Sequence, residues 1–265
     1  MKDQSIYNIV KFEVIDNIKS KWFFIYSALI FLFIYLVVYF SSGKPAEIIA
    51  TITNFFLLIL PLYSMLFGII NFYESLNFQS LLIVRSISRK EIFLGKYFGI
   101  LFSLLLSFLV GILPIFIFYK KIINIIYILY ILIFYSILLH AIFLSIAFYI
   151  SQFSLRLELR VGISIFFWLI FYILYDSLIF FFVLGFGDYP IEPIIVYLVM
   201  FNPIDLIRTI LLLHGELSAI MSYSSAVYVK QLGSFWGIII GIGILAFWAT
   251  IFNILAFKKF LKKDL

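Results

Sequence analysis

The sequence of 265 residues contains no cysteine and little charge. The absence of cysteine excludes disulfide bonds, thiolate metal sites and a cysteine nucleophile. Only 12% of the residues are charged, whereas a soluble domain carries about 25%. The chain therefore falls outside the soluble class. Its histidines and methionines show no metal-ligand spacing either, so we expect no metal site.

Apolar and aromatic residues dominate the composition. The chain is 65% hydrophobic and 21% aromatic, with 34 Phe, 18 Tyr and a mean hydropathy of +1.20. A core of this size cannot hold so many rings, so lipid must cover much of their surface. The net charge of +6 lies in small clusters beside apolar runs, which indicates membrane orientation and not a nucleic-acid partner. The sequence predicts an integral membrane protein.

Six continuous apolar segments are long enough to span a membrane, since one helical crossing takes about 20 residues. They are residues 22–41, 48–72, 97–119, 122–150, 161–185 and 233–257. Because these runs do not alternate in polarity, they exclude a transmembrane β-barrel. We expect an all-α protein in which residues 1–265 form a single transmembrane domain. The Gly237–Gly241 spacing in the last span indicates a seam of close helix packing, within the chain or between two copies.

The positive charges predict the orientation. Fourteen of the 19 Lys and Arg residues fall on the side of the membrane that holds the N-terminus, and five fall on the other side. Basic residues are retained on the cytoplasmic side of membrane proteins. We therefore expect both termini in the cytoplasm.

Three segments lie outside the predicted spans. Residues 1–21 place Ile6, Val10, Val14 and Ile18 four apart, with Asn17 among the polar residues of the opposite face, a spacing typical of an interfacial amphipathic helix.

Residues 186–232 form a long outer segment that contains a helix start. There Asn202 is a capping residue, Pro203 fits the first helical position and Asp205 supports the first turn. Its apolar face comprises Ile204, Ile207, Leu211 and Leu212, and His214-Gly215 ends it. We therefore expect a short helix that lies on or dips into the outer surface.

The remaining segment, residues 73–96, is the least apolar long stretch in the first half of the chain. We expect it to form a short amphipathic helix that docks another protein, or else an ordinary basic loop held on anionic lipid. The residues that would make or support this contact are Glu74, Arg85, Ser86, Arg89, Lys90, Glu91 and Lys96.

No catalytic or nucleotide-binding motif is present. Gly95-Lys96 matches the end of a phosphate loop, but Lys90 occupies the position of its first glycine. We expect neither catalysis nor a cofactor in this chain, so a partner protein or an ion gradient must supply any energy.

Two polar residues within the predicted spans are candidates for a functional role, because placing a polar side chain inside a membrane costs free energy. Asp176 either lines a path or gate, or is an interfacial carboxylate. His140 either lines a path or makes an interhelical hydrogen bond. An intramembrane enzyme that uses both residues is a remote alternative.

The segment 73–96 resembles the corresponding region of type-2 ABC exporter permeases. The shared pattern is an acidic residue, a leucine-rich run and then Ser-Arg-x-x-Ile-x-x-Gly-Lys, here Glu74, Leu81-Leu82 and Ser88–Lys96. The stretch IVKFEVIDNIKSKWF is similar to the elbow helix of that family. Two departures are Asn77-Phe78, where the family often has Gly-Thr, and Ser86, where it commonly has Pro. The resemblance implies an elbow helix at 1–21, a cytoplasmic coupling helix within 73–96, and a partner ATPase that holds ATP and Mg.

A narrower resemblance is to the NosY-type permeases, which serve nitrous-oxide-reductase maturation. It rests on Asp176 followed by Asn202-Pro203-x-Asp205-x-x-Arg208. It implies two copies of this chain with two copies of a separate ABC ATPase in a bacterial inner membrane, and a periplasmic solenoid partner. Asn202, Asp205 and Arg208 would then contact that partner or form a gate. The complex would carry out transport or mechanical transmission for copper–sulfur cluster assembly. The alternative within the family is export of a peptide antibiotic or a lipid.

Overall fold

Helices make up almost all of the residues that the structure describes. The computed structural model describes residues 2–40, 45–85, 87–118, 126–153, 155–186, 189, 191–213, 223–232 and 234–262, and these residues contain no strand. The helices are α1 (Lys2–Lys19), α2 (Lys21–Phe40), α3 (Pro45–Glu74), α4 (Leu76–Val84), α5 (Arg89–Phe118), α6 (Ile126–Ser151), α7 (Leu157–Leu169), α8 (Tyr175–Phe186), α9 (Glu192–Phe201), α10 (Pro203–Leu213), α11 (Tyr223–Leu232) and α12 (Ser234–Lys262).

Six of these elements are long and apolar enough to cross a membrane. They are α2, α3, α5, α6, α12 and the continuous unit of α7 and α8, which a π turn at Ile170–Leu174 joins. The prediction of six long apolar helices is therefore confirmed, and the chain is a multi-pass membrane protein. We call the end of the bundle at which α2, α5 and α7 begin, and at which α1 lies, the N-terminal end.

α6 lies at the centre of the bundle. It packs against α3 and α12 and is the most buried of the spans, whereas the α7–α8 unit and α12 are mostly exposed. α5 packs along both α1 and α2. Since spans five and six leave most of their apolar side chains uncovered, lipid or another protein must cover them.

The third span begins earlier than predicted. α5 starts at Arg89 and not at 97, because Ser88 and Glu91 form a capping box. The Ser88 backbone N–H donates to Glu91 Oε2 at 3.0 Å, and the Glu91 backbone N–H donates to Ser88 Oγ at 3.3 Å. Reciprocal bonds of this kind satisfy N–H groups that a helix start leaves without partners. Residues 89–96 are thus the first two turns of a helix and not part of a loop.

α1 buries one face against the bundle. Its predicted apolar face is half-buried, and the residues most deeply buried are Ile9, Glu13 and Asn17. Two polar side chains therefore face the protein, where the sequence placed Asn17 on the polar, outward face. Tyr7, Phe12 and Ile15 are exposed instead.

Two glycines of α5 allow α1 to approach closely. A Cβ atom at Gly99 would lie 2.5 Å from Glu13 Cβ, and one at Gly95 would lie 2.7 Å from Ile9 Cγ2. Both distances are too short for real carbon contacts, so only glycine fits. The glycine seam that the sequence suggested in the last span packs within the chain, since a Cβ at Gly241 would lie 2.4 Å from Ile210 Cδ1.

The described helices of the segment 186–232, which are α9, α10 and α11, pack on one another and on α12. α9 and α10 meet at Asn202 with a bend of 111°, and together they are apolar enough to be a broken span or a re-entrant loop. The predicted apolar residues Ile204, Ile207 and Leu211 are buried, and α10 packs against α12, α11 and α9. The predicted helix therefore dips into the bundle. The expected helix end at His214-Gly215 lies outside the described residues.

We predict that Gly99→Ala weakens the docking of α1, because Glu13 Cβ is fixed to the backbone of α1 and cannot turn away. The expected loss is about 1–3 kcal/mol, as for other overpacked sites. The measurement is the thermal unfolding midpoint of the purified protein in detergent. Gly243→Ala is the matched control, because a Cβ there meets no atom within 4 Å. Equal midpoints for the two variants would contradict the prediction.

Candidate functional site

Lys96 is buried where α1, α3 and α5 meet at the N-terminal end. Its Nζ donates to Glu13 Oε1 and Oε2, each at 3.1 Å, and to Asn71 Oδ1 at 2.8 Å. An ammonium group has three donors, so these acceptors satisfy it completely. Glu13 comes from α1, Asn71 from α3 and Lys96 from α5. We call Glu13, Asn17, Asn71 and Lys96 the Lys96 network.

Asn17 closes this network into a ring. Asn71 Nδ2 donates to Asn17 Oδ1, and Asn17 lies one turn after Glu13 on α1. The ring therefore fixes two successive turns of α1 to two spans. Sequence analysis placed Lys96 with the surface contacts of 73–96. The structure instead buries this side chain, so it links three helices and is not exposed to a partner.

The residues that follow α3 form the short helix α4, which is fastened at its start. Gln79 Nε2 donates to Ser75 Oγ at 2.9 Å, and the ring of Phe78 stacks on that of Phe12 with centroids 5.0 Å apart. The far end is open to the surroundings. Leu81 is 63% exposed and Val84 is 81% exposed, and Arg85 beside them is also exposed.

The other candidate coupling residues differ in their surroundings. Glu74 and Lys90 are exposed, whereas Glu91 belongs to the capping box of α5. Arg89 Nη1 donates to the Leu261 carbonyl at 2.9 Å, which joins the start of α5 to the end of α12. Ser86 lies outside the described residues. Arg85 and Lys90 are thus the exposed cations of this set.

A second network lies in the other half of the bundle, between α8 and α10. Arg208 Nη1 donates to Asp176 Oδ2 and to Asp205 Oδ1, both at 2.8 Å. Asn202 Nδ2 donates to Asp205 Oδ2 at 2.8 Å. Local sequence chemistry identified Asp176 as a path residue and Asn202 and Asp205 as part of a helix start, and only the family resemblance grouped them with Arg208. The structure brings them together, and we call them the Arg208 network.

Asn202 also connects this network to the π turn. Its Nδ2 donates to the Phe171 carbonyl at 2.7 Å, while its Oδ1 accepts the Ile204 backbone N–H at 3.0 Å. The second bond is the helix cap that the sequence predicted. One side chain therefore caps α10 and holds the irregular turn of span five, and π turns of this kind are frequent at functional sites.

The Arg208 network is mostly enclosed. Asn202 and Asp205 are buried, and the Asp176 side chain is 40% exposed. In this conformation Asn202 and Asp205 are not on a surface that an outer partner could contact. The gate role considered for these residues requires no exposure.

His140 makes an interhelical hydrogen bond. Its Nδ1 lies 2.6 Å from the Ser136 carbonyl, which can only accept, so Nδ1 carries the proton. Nε2 is then the acceptor, and the Tyr26 hydroxyl on α2 donates to it at 2.8 Å. Asp176 binds Arg208 instead, so the two residues of the enzyme alternative have different partners.

Sequence reasoning missed several polar residues that carry these contacts. Asn71 gave no signal beyond being a polar residue beside an apolar run, and Glu13 was included only in the stretch that resembles the elbow helix. Arg160, near the start of α7, is buried with its guanidinium 5.2 Å from the centre of the Tyr73 ring. Its buried Nε and Nη1 atoms have no acceptor among the described residues.

Comparison with known proteins does not assign the chain to a family. A scan against protein-family models finds no match to the sequence. A search of curated proteins also finds no match.

We predict that Lys96→Met destabilises the protein by about 3 kcal/mol, because it leaves the buried Glu13 carboxylate without a counter-ion. Adding Glu13→Leu should recover most of the loss, since an apolar pair often replaces a buried ion pair at little cost. The measurement is a double-mutant cycle on the free energy of unfolding in detergent. Lys90→Met is the control for an exposed lysine and should change little. A Lys96→Met protein as stable as the wild type would contradict the prediction.

For the Arg208 network we predict that Arg208→Met costs about 3 kcal/mol, because Asp205 is then a buried carboxylate without its cation. Asp176→Asn should cost about 1 kcal/mol or less, since water already reaches the Asp176 carboxylate. Unfolding midpoints of both variants, measured side by side, test this order. Equal losses of stability in the two variants would contradict the prediction, because the burial of Asp205 would then not make its pairing with Arg208 the more important one.

Proposed function

We propose that the chain is the membrane subunit of an ABC transporter, in which a separate ATPase hydrolyses ATP and drives transport or mechanical transmission. The observation that carries this proposal is the arrangement at the N-terminal end. There a short helix, α4, lies between two spans and presents Leu81, Val84 and Arg85 outward. Exposed apolar side chains beside a cation are suited to a protein contact.

The attachment of α4 suits it to transmit force. Gln79 Nε2 donates to the Phe72 carbonyl of α3 at 3.4 Å, and so holds α4 against the end of α3. The Lys96 network then ties α3 to α1 and α5. A partner that displaced α4 would therefore move α3, α5 and α1 together, which is the motion expected when an ATPase dimer closes.

In this proposal the N-terminal end is cytoplasmic, as the positive-inside distribution favours. The membrane is then a bacterial inner membrane with both chain termini in the cytoplasm. The exposed apolar faces of the α7–α8 unit and α12 leave room for a second copy of the chain.

The Arg208 network is the proposed gate. Asp176 belongs to span five, while Asp205 and Arg208 belong to the bent α9–α10 pair. Separating α8 from α10 would break the half-exposed Asp176–Arg208 ion pair and leave Arg208 paired with Asp205 alone. Because an ion pair that water reaches is worth about 1 kcal/mol or less, an ATPase could supply the energy to open it.

The narrower proposal is that the complex serves copper–sulfur cluster assembly in nitrous-oxide reductase, with a solenoid partner in the periplasm. Its support is that the four residues of the Asp176 and Asn-Pro-x-Asp-x-x-Arg pattern act as one hydrogen-bonded unit. A permease of the same family that exports a peptide antibiotic or a lipid is the alternative, since the same gate would serve it. The two proposals differ in whether the complex has a protein partner on the outer side of the membrane.

The experiment is purification of the full chain from its own membranes in a mild detergent, with identification of the chains that accompany it. We expect an ABC ATPase and, for the narrower proposal, a periplasmic solenoid protein. Purified membranes that yield the chain without any ATPase would refute the transporter assignment. An ATPase without an outer partner would favour the export alternative.

We predict that Arg85→Glu reduces the recovery of the ATPase by about tenfold, because it reverses a charge at the centre of the proposed contact. Lys230→Glu is the matched control. It makes the same charge change at an exposed lysine on α11, far along the chain from α4. The measurement is the amount of ATPase bound per amount of chain. Equal recovery with both variants would remove α4 as the docking site.

A further inference from the structure

An open pocket lies beside the Lys96 network, and Glu13, Asn71 and Lys96 of that network form part of its wall. It has a volume of about 250 Å³ and lies between α1, α3, α4 and α5. The pocket is therefore large enough for a small charged group.

The pocket carries a negative charge. Glu13, Asp16 and Glu74 line it, and the single cation in its wall is Lys96. The Lys96 ammonium is fully occupied by Glu13 and Asn71. No ion pair joins Asp16 or Glu74 to another of the described residues, so their carboxylates are available to a cationic ligand.

The walls of the pocket are aromatic. Phe12 from α1 and Phe78 from α4 both line it, and their rings stack with an interplanar angle of 23°. The stacked pair adds an apolar wall beside the carboxylates, and it is these carboxylates that attract an ammonium group. In the residues that the structure describes, no group of three or more acidic or histidine side chains is arranged to hold a metal ion.

The position of the pocket indicates where the ammonium comes from. Glu74 is the last residue of the second span, so the pocket lies at the depth where helices leave the membrane. Tyr7, Phe12 and Ile15 on α1 are exposed next to it, and they are suited to contact acyl chains. Lys19, exposed one turn after Asp16, can face a phosphate.

We propose that this pocket binds the headgroup of an aminophospholipid, with the ammonium between Asp16 and Glu74. The phosphate then lies toward Lys19 and the acyl chains lie along the exposed apolar residues of α1. A bound headgroup would bridge α1 and the end of α3, and so would add a lipid-dependent contact to the helices held by the Lys96 network.

The test is native mass spectrometry of the purified full chain with one lipid added at a time. Phosphatidylethanolamine should bind about tenfold more tightly than phosphatidylglycerol, which has no ammonium. Phosphatidylcholine should bind more weakly than phosphatidylethanolamine, because its ammonium has no N–H to donate to the carboxylates. Equal binding of all three lipids would overturn the proposal.

The matched variants are Asp16→Asn with Glu74→Gln, and Glu158→Gln. The first pair removes both free carboxylates and leaves the Lys96 network untouched, so the protein should fold with an unchanged unfolding midpoint. It should lose the preference for phosphatidylethanolamine. Glu158 is exposed at the same end of the bundle but lies outside the pocket, and its variant should keep the preference.

A basic side chain of a partner protein is the competing occupant. If the double variant loses its ATPase but keeps the lipid preference, the lipid assignment is wrong and the pocket receives a partner's cation. This outcome is distinct from failure of the proposed function, because the lipid measurement uses the chain without an ATPase.

Discussion

The ammonium group of Lys96 must be neutralised inside the helix packing, and the arrangement of the N-terminal end depends on this requirement. Removing an unpaired charge from water costs several kcal/mol, so a carboxylate has to lie within hydrogen-bonding reach. α1 supplies Glu13 and α3 supplies Asn71. The carboxylate can reach the ammonium only if α1 lies nearly in contact with α5. Gly95 and Gly99 permit that approach, so charge and packing specify the same geometry.

The same requirement shapes the other half of the bundle. Inside a membrane no water is available to satisfy polar groups, so the protein must satisfy them itself. The chain breaks at Asn202-Pro203, and the Asn202 side chain supplies bonds on both sides of the break. Asp205 is then held by Asn202 and Arg208, and Arg208 also holds Asp176. The irregular backbone is thus stable here because the Asn202 side chain forms hydrogen bonds with backbone groups on both sides of the break.

The spans could be predicted from sequence, because lipid selects long apolar runs and no other feature imitates them. The start of α5 was missed because Arg89, Lys90 and Glu91 are charged and look like a loop, although Ser88-x-x-Glu91 is a readable capping signal. The cap at Asn202 was predicted from local chemistry and is confirmed. The pairing of Lys96 with Glu13, 83 positions apart, could not be predicted, since no local pattern encodes which distant helices meet.

Hydrogen bonds connect the two networks through α3 and span five. The Trp168 indole N–H on α7 donates to the Leu58 carbonyl of α3 at 2.9 Å. One turn further along, the Phe171 carbonyl accepts a hydrogen bond from Asn202. Asn202 also donates to Asp205, and Asp205 accepts a hydrogen bond from Arg208. A displacement of α3 at the Lys96 network therefore has a contiguous bonded route to the Arg208 network. The π turn lies on that route, since the Phe171 carbonyl that accepts the Asn202 hydrogen bond belongs to it. Under the proposed function, a displacement of α4 would reach the Arg208 network along this route.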